Sequence, residues 1–273
     1  MPAPACQPGI LAGPPAHGRS LSFRLAVKGD PAAALKRLRE KFDGGWGIVG
    51  LGEPLVLALG GKIPALRTFP AMSGPAAAVP SHQQALWILV DGKDRSETVD
   101  LSQSLIELLT PDLLLDECID TFTYAGGRDL TGYEDGTENP KGDNAVHAAI
   151  VPAGQPFAGS SFVAVQRWVH DLLHFRAQTP DECDAIIGRH KKTNEELSDA
   201  PASAHVKRSA QETFDPPAFM LRRSMPWSTG HEHGLEFIAF GQSWTRYSGF
   251  RDPSTGHITG ARPWTAEAWT SAP

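Results

Sequence analysis

The sequence lacks most of what a membrane protein, a secreted disulfide scaffold or a nucleic-acid binder needs. No apolar run approaches the ~18 residues that cross a bilayer as a helix, so no membrane contact is expected. The stretch from Met1 to Leu11 has no basic segment followed by an apolar one, the mark of a secretory leader. Cysteine is scarce. Cys6, Cys118 and Cys183 form no CxxC pair and no disulfide framework. Together these features point to the cytoplasm. Positive charge is also short, with 25 Lys and Arg against 31 Asp and Glu, and the net charge of -6 argues against a nucleic-acid partner.

What the sequence does have is an ordinary globular composition, 41% hydrophobic over 273 residues, enough to bury a core. Residues 21–27 (LSFRLAV) read as a strand. Asp30-Pro31 then opens a helix, since aspartate caps the first amides and proline suits the first turn. Leu35, Leu38 and Phe42 follow at helical spacing, and Gly44-Gly45 ends the run. Residues 48–59 look extended, 85–90 form a short buried strand, 102–109 a helix and 115–124 another strand. The second half repeats the pattern. A valine-rich strand at 162–169 precedes Thr179-Pro180-Asp181-Glu182, a capping box whose helix should run to about Gly188. Two more strands follow at 219–222 and 235–240. The reading is α+β: two similar halves, residues 1–140 and 141–273, with helices covering antiparallel sheets. A glycine- and proline-rich stretch from Gly136 to Gly159 joins them.

Three segments hold chemistry-bearing residues. The first is Gly126 to Pro140, GGRDLTGYEDGTENP. By composition it is a turn-rich surface loop. Yet Asp135-Gly136 sets a carboxylate beside a residue that lets backbone approach a flat ligand closely. The second is Ser203 to Arg208, SAHVKR, where His205 reads either as a structural histidine or as a ligand. The third is Leu221 to Trp227, LRRSMPW, whose paired arginines read either as solvated or as charge partners.

Taken together, these segments resemble the dye-decolorising peroxidases, in their short cytoplasmic bacterial group. The GxxDG signature of that family stands here as Gly132-Tyr133-Glu134-Asp135-Gly136, extended by Thr137-Glu138-Asn139-Pro140. Ile187-Gly188-Arg189 is a fourth matching segment, and the resemblance spans roughly residues 7–241. It implies two ferredoxin-like halves, with haem b held mainly by the second. It implies His205 as the iron-ligating histidine, Asp135 and Arg222 on the opposite haem face, and Arg189 on a haem propionate. Arg222 is preferred to Arg223 because it takes the first place of the RxS pattern, and Ser224 should point the same way. Gly136, Thr137 and Glu138 are expected to line the haem edge. The implied partners are hydrogen peroxide, an organic reductant such as a dye, and further copies of the chain.

The resemblance weakens after Gly241, where the family continues with a helix, an acidic turn and an aromatic motif. No good helix is visible in this tail. The family draws from that region the carboxylate behind its iron-binding histidine, and here Asp252 is its only aspartate. Two rival readings use the same residues. One is a protein that binds haem, or handles its iron, without peroxidase turnover. The other is a ferredoxin-like module with no cofactor. Other features are read as bland. His231-Glu232-His233 should sit in an exposed hairpin, the seven tryptophans mostly in the core or at its rim, and Cys118 and Cys183 as buried thiols.

Overall fold

A computed structural model of the chain describes residues 5–73, 78–213, 215, 217–243 and 261–271; for 72–73, 78–79 and 261–271 it describes the backbone alone. In chain order its elements are α1 (Pro8–Leu11), β1 (His17–Leu25), α2 (Pro31–Lys41), β2 (Gly47–Gly52), α3 (Glu53–Ala58), β3 (Met72–Ser73), β4 (Ala78–Val79), β5 (Leu86–Gly92), α4 (Arg95–Leu109) and β6 (Leu113–Phe122). Then come α5 (Asp143–Ala149), β7 (Ser161–His170), α6 (Leu172–Arg176), α7 (Pro180–Ile187), α8 (His205–Arg208), β8 (Leu221–Arg222), β9 (Met225–Ser228), β10 (His233–Gly241) and β11 (Ala261–Ser271).

All pairings are antiparallel, and the main sheet runs β7-β11-β2-β5-β1-β6-β9-β10-β8. A further pairing of β7 with β10 curls the sheet closed on itself. Within it, β2-β5-β1-β6 is a run of four strands in the ferredoxin-like order, and β11-β7-β10-β9 repeats that order. The expected α+β fold of ferredoxin-like repeats with helical cover is therefore the one observed.

Side-chain alternation explains the closure. On β5, Trp87 and Leu89 face one core while Leu86, Ile88 and Val90 face another. On β7, Val163 and Val165 face the first core while Phe162 and Ala164 face a third. These strands are buried on both faces, so they read as continuous apolar runs. The first core gathers Ile48, Trp87, Leu89, Val163, Val165, Ile238 and Phe240 from strands of both repeats, inside the closed sheet. The second lies under α2 and α4, which bury Ala34, Leu38, Leu105 and Leu109.

Local signals act as expected at several ends. The Asp30 carboxylate accepts from the amides of Ala32 and Ala33. Thr179 and Glu182 complete a capping box, and α7 stops at Gly188 with φ +91°. The loop after β9 is the expected hairpin, closed by Thr229 N–H donating to the Glu232 carbonyl.

Other readings need correction. Residues 53–58 of the segment read as extended form α3, begun by Glu53 and Pro54 at its first turn and by Gly52 as its cap. Helix α4 starts seven residues before the expected Ser102, at Arg95, because Asp94 accepts from the Glu97 amide as its cap. The stretch 136–159 holds α5, whose Ala145, Ala148 and Ala149 are buried. Small alanines give a weak apolar period, and flanking glycines mask it. Cys183 is buried, but Cys118 is only partly so. In the tail, β11 pairs with β7 and β2. Asp252 lies outside the described residues.

Candidate active site

The loop 126–140 leaves β6 and folds into a small hairpin of its own. Bridges link Tyr124 with Arg128 and Arg128 with Glu134. The turn is closed by Asp129 N–H donating to Tyr133 and Gly132 N–H donating to Asp129. Asp135 then donates its amide to the Gly127 carbonyl at 3.0 Å, which fixes the backbone that presents its carboxyl. Gly136, at φ +72°, turns the chain toward Asn139, which donates its amide to the Gly136 carbonyl. That φ is one that L side chains rarely adopt, so glycine belongs there.

Asp135, Gly136, Asn139, Arg222 and Ser224 line one cavity of about 310 Å³. Arg222 ends β8, and Ser224 lies in the gap before β9. The paired arginines diverge. Arg222 faces the cavity, whereas Arg223 is buried and donates to the Ile10 carbonyl through Nε and Nη2. Two polar atoms at the cavity, Arg222 Nε and Ser224 Oγ, are buried without a hydrogen-bond partner among the described residues. Such atoms cost stability unless something meets them, so they mark a place built for a polar guest.

Protein atoms crowd the Asp135 carboxyl, and this burial raises its pKa. Arg222 and the Gly136 amide pull it down, and the charge of Asp129 raises it further. Asp135 nonetheless keeps an accessible face toward the cavity, so the rise is fullest when that face is covered.

His205 opens α8, four residues long, and α7 packs against that helix. The Cβ of any residue at Gly188 would press into Val206 Cγ2 at 2.4 Å, so the close approach needs glycine. Burial pushes the imidazole of His205 down to about 4, aided by the nearby Arg222 and opposed by Asp129. Its ring makes no hydrogen bond among the described residues. The neutral imidazole with a free ring nitrogen is the form that binds metals.

Arg189 follows Gly188 and is buried. Its guanidinium donates to Glu138 and to the Asn194 carbonyl, and Glu196 lies 3.6 Å away. Thr137 accepts from Asn194 Nδ2 at 2.9 Å. The expected site residues thus form two groups. Asp135, Gly136, Arg222 and Ser224 share the cavity, with His205 in electrostatic reach of Arg222. Thr137, Glu138 and Arg189 form a neighbouring polar cluster in which Arg189 already holds carboxylates.

Residues 126–250 match the Dyp-type peroxidase C-terminal domain. Over that segment the chain is similar to the Dyp-type peroxidase family. It is 30% identical over 184 residues to a dye-decolorizing peroxidase of Mycolicibacterium paratuberculosis, covering 65% of this chain and 52% of that protein. It is 38% identical over 130 residues to one from Rhodococcus erythropolis, covering 45% of this chain and 38% of the relative. The chain therefore spans about half the length or less of these curated relatives. Among solved structures, a Dyp-type peroxidase protein from Shewanella oneidensis superposes with a TM-score of 0.87 at 24% identity, over 98% of this chain and 96% of that one. A variant of Rhodococcus jostii DypB, solved in complex with heme, gives 0.86 at 22% identity over 96% and 94% of the two chains. At such identities the superpositions establish the shared fold.

Sequence reading missed two features of the site. Asn139 holds the backbone of Arg222, donating Nδ2 to its carbonyl at 2.8 Å and accepting its amide at 2.9 Å. Its only sequence signal was its place in the quoted TENP extension. Asp129 and His170 form a buried pair at 2.9 Å. Forty-one residues separate them, and no local pattern links them.

A larger cavity of about 780 Å³ lies on the other side of the loop, over Tyr133, Phe175 and Asp184. None of the expected site residues lines it. Tyr133 donates to Asp184, and burial and that carboxylate raise the phenol's pKa.

Proposed function

We propose that the chain is a haem-dependent peroxidase that reduces hydrogen peroxide with Asp135 and Arg222 and oxidises dyes or other organic reductants. The observation that carries this reading is the single cavity lined by Asp135, Arg222 and Ser224, with a neutral histidine in electrostatic reach of Arg222. Haem b suits these residues. Among the described residues, the His205 imidazole makes no hydrogen bond and Arg222 Nε and Ser224 Oγ are orphaned polar atoms, while Arg189 already grips carboxylates. Histidine is a known axial ligand of peroxidase haem.

When bound, haem supplies the iron centre that passes electrons to peroxide. Asp135 takes the proton from the inner peroxide oxygen and returns it to the outer one, directly or through water. The permanently charged Arg222 stabilises negative charge on the departing oxygen. The Ser224 hydroxyl holds a water or the peroxide itself. Arg189, which now holds the exposed Glu138, would be the residue to pair with a haem propionate, a partner that guanidinium favours. Backbone of Gly136, Thr137 and Glu138 would line the haem edge.

The boundary near residue 140 that we assign between the halves falls inside the site, because Asp135 precedes it and His205 and Arg222 follow. We also assign the protein to the cytoplasm and to a homo-oligomer, on its scarce unpaired cysteines and on the family that it resembles.

The test is optical. The protein purified with haem supplied should carry a Soret band that changes rapidly on mixing with peroxide, and dye should then bleach catalytically. A Soret band with no fast response to peroxide would support haem handling instead. A colourless protein would exclude both.

A further inference from the structure

The site contains a conflict. Arg222 is needed for its charge, yet that charge weakens the carboxylate beside it as a base. A base works best when its pKa lies near the working pH. We propose that Asp129, pinned by His170, is a positioning residue that offsets Arg222 and sets the proton affinity of Asp135. The proposal rests on the reading of Asp135 as the proton acceptor.

Geometry places the charge. Asp129 sits in the same loop hairpin as Asp135, and its side chain is 15% exposed while that of His170 is 4% exposed. One Asp129 oxygen meets His170 Nε2 at 2.9 Å. The other accepts from the Thr131 amide at 2.9 Å and the Thr131 hydroxyl at 2.7 Å. Burial alone would raise this carboxyl, but these bonds hold it at about 2, so it stays ionised. His170 reaches across from the end of β7, so a strand of the second repeat fixes a loop that follows the first.

His170 Nδ1 is buried without a hydrogen-bond partner among the described residues.

Two charges bear on Asp135. Arg222 from β8 lowers its proton affinity and Asp129 raises it. Arg128 also lines the cavity, but it is paired with Glu134 at 3.0 Å. Asp129 is thus the fixed negative charge opposing Arg222. Nothing in the GxxDG pattern assigns it this part.

The experiment reads the carboxyl directly. The full chain is labelled with ¹³Cγ-aspartate and titrated by NMR, with Asp135→Asn identifying the resonance. Asp129→Asn should move the Asp135 midpoint toward acid by about one pH unit, the scale for a nearby charge. His170→Arg, which places a permanent cation on Asp129, should leave a more acid midpoint than His170→Gln, which keeps a neutral donor. In the haem-loaded protein, the acid limb of the peroxide reaction should follow the same order. A folded Asp129→Asn protein with an unmoved midpoint overturns the proposal. If that variant does not fold, the two His170 variants decide, and equal shifts in both overturn it. Midpoints that follow charge in a protein unreactive to peroxide would sink the peroxidase reading and leave the coupling standing.

Discussion

Asn139 holds Arg222 by both of its backbone groups, accepting the amide at 2.9 Å and donating to the carbonyl at 2.8 Å across 83 residues. The pair works like one rung of a β-ladder. It fixes the main chain from which the guanidinium reaches the cavity, where its Nε has no partner among the described residues. Asn139→Ala should lower stability by about 2 kcal/mol, at ~1 kcal/mol for each bond. It should also slow the reaction with peroxide by roughly ten- to a hundredfold, since small misplacements of charge are costly. Denaturant titration and stopped-flow absorbance measure the two effects. A loss of stability with an unchanged peroxide rate would show that the clip does not aim Arg222.

His205→Ala removes the proposed axial ligand. Haem retention should fall sharply and the Soret band with it, while the far-UV circular dichroism stays unchanged. The helix bearing His205 has four residues and is held by its neighbours, so the fold does not depend on this imidazole. A wild-type Soret band and spin state in the variant would show that iron is bound elsewhere.

The repeated strand–helix–strand order was legible because these strands and helices carry strong local signals. Asp30, Thr179 and Gly188 act as local chemistry dictates. The helices α3 and α5 were hidden because one is six residues long and the other is built on small alanines. Closure of the sheet through β7 and β10 is a long-range event that no local period encodes. At the site, Asp135 and Arg222 stood out through their motifs. The residues that seat them, Asn139 and the Asp129–His170 pair, act through contacts made only in the folded chain.

Activity should fall in acid as Asp135 takes up a proton and ceases to be a base. Its pKa is raised, so this loss should set in above the ~3.9 of an ordinary aspartate. The rate constant with peroxide, measured from pH 3 to 8, should therefore show an acid limb centred above that value. A flat profile down to ~3.9 would remove Asp135 as the working base.

Glu236 predicts a separate pH effect on stability. It is 3% exposed, and burial pushes its carboxyl up to about 7, with Glu117 adding to the rise against Ser20 and Arg167. An unfolded glutamate titrates near ~4.3. The folded pKa is the higher one, so this group's contribution is fully present below ~4.3 and is lost as pH rises through about 7. The loss amounts to roughly 4 kcal/mol. Glu236→Gln should unfold at a higher temperature than wild type at pH 8 and at nearly the same temperature at pH 4. An equal change at both pH values would mean the carboxyl does not titrate in the fold.

The two cavity side chains should not cost the same when removed. Losing a general base typically costs ~100- to 10,000-fold, and losing one preorganised charge ~100- to 1,000-fold, so magnitude alone does not rank them. Their surroundings do. Asp135 keeps a face open to the cavity, where water can carry a proton in its place. Arg222 supplies a charge that water cannot replace, from a backbone fixed by Asn139. Arg223 cannot swing in as a substitute, because both its Nε and Nη2 are committed to the Ile10 carbonyl. Arg222→Leu should therefore slow the peroxide-driven spectral change more than Asp135→Ala does, with haem still bound in both. Stopped-flow spectra in excess peroxide decide the order. An inert Asp135→Ala beside a nearly normal Arg222→Leu would reverse the ranking and make the carboxylate indispensable. Two fast variants would move the site of peroxide reduction away from this cavity.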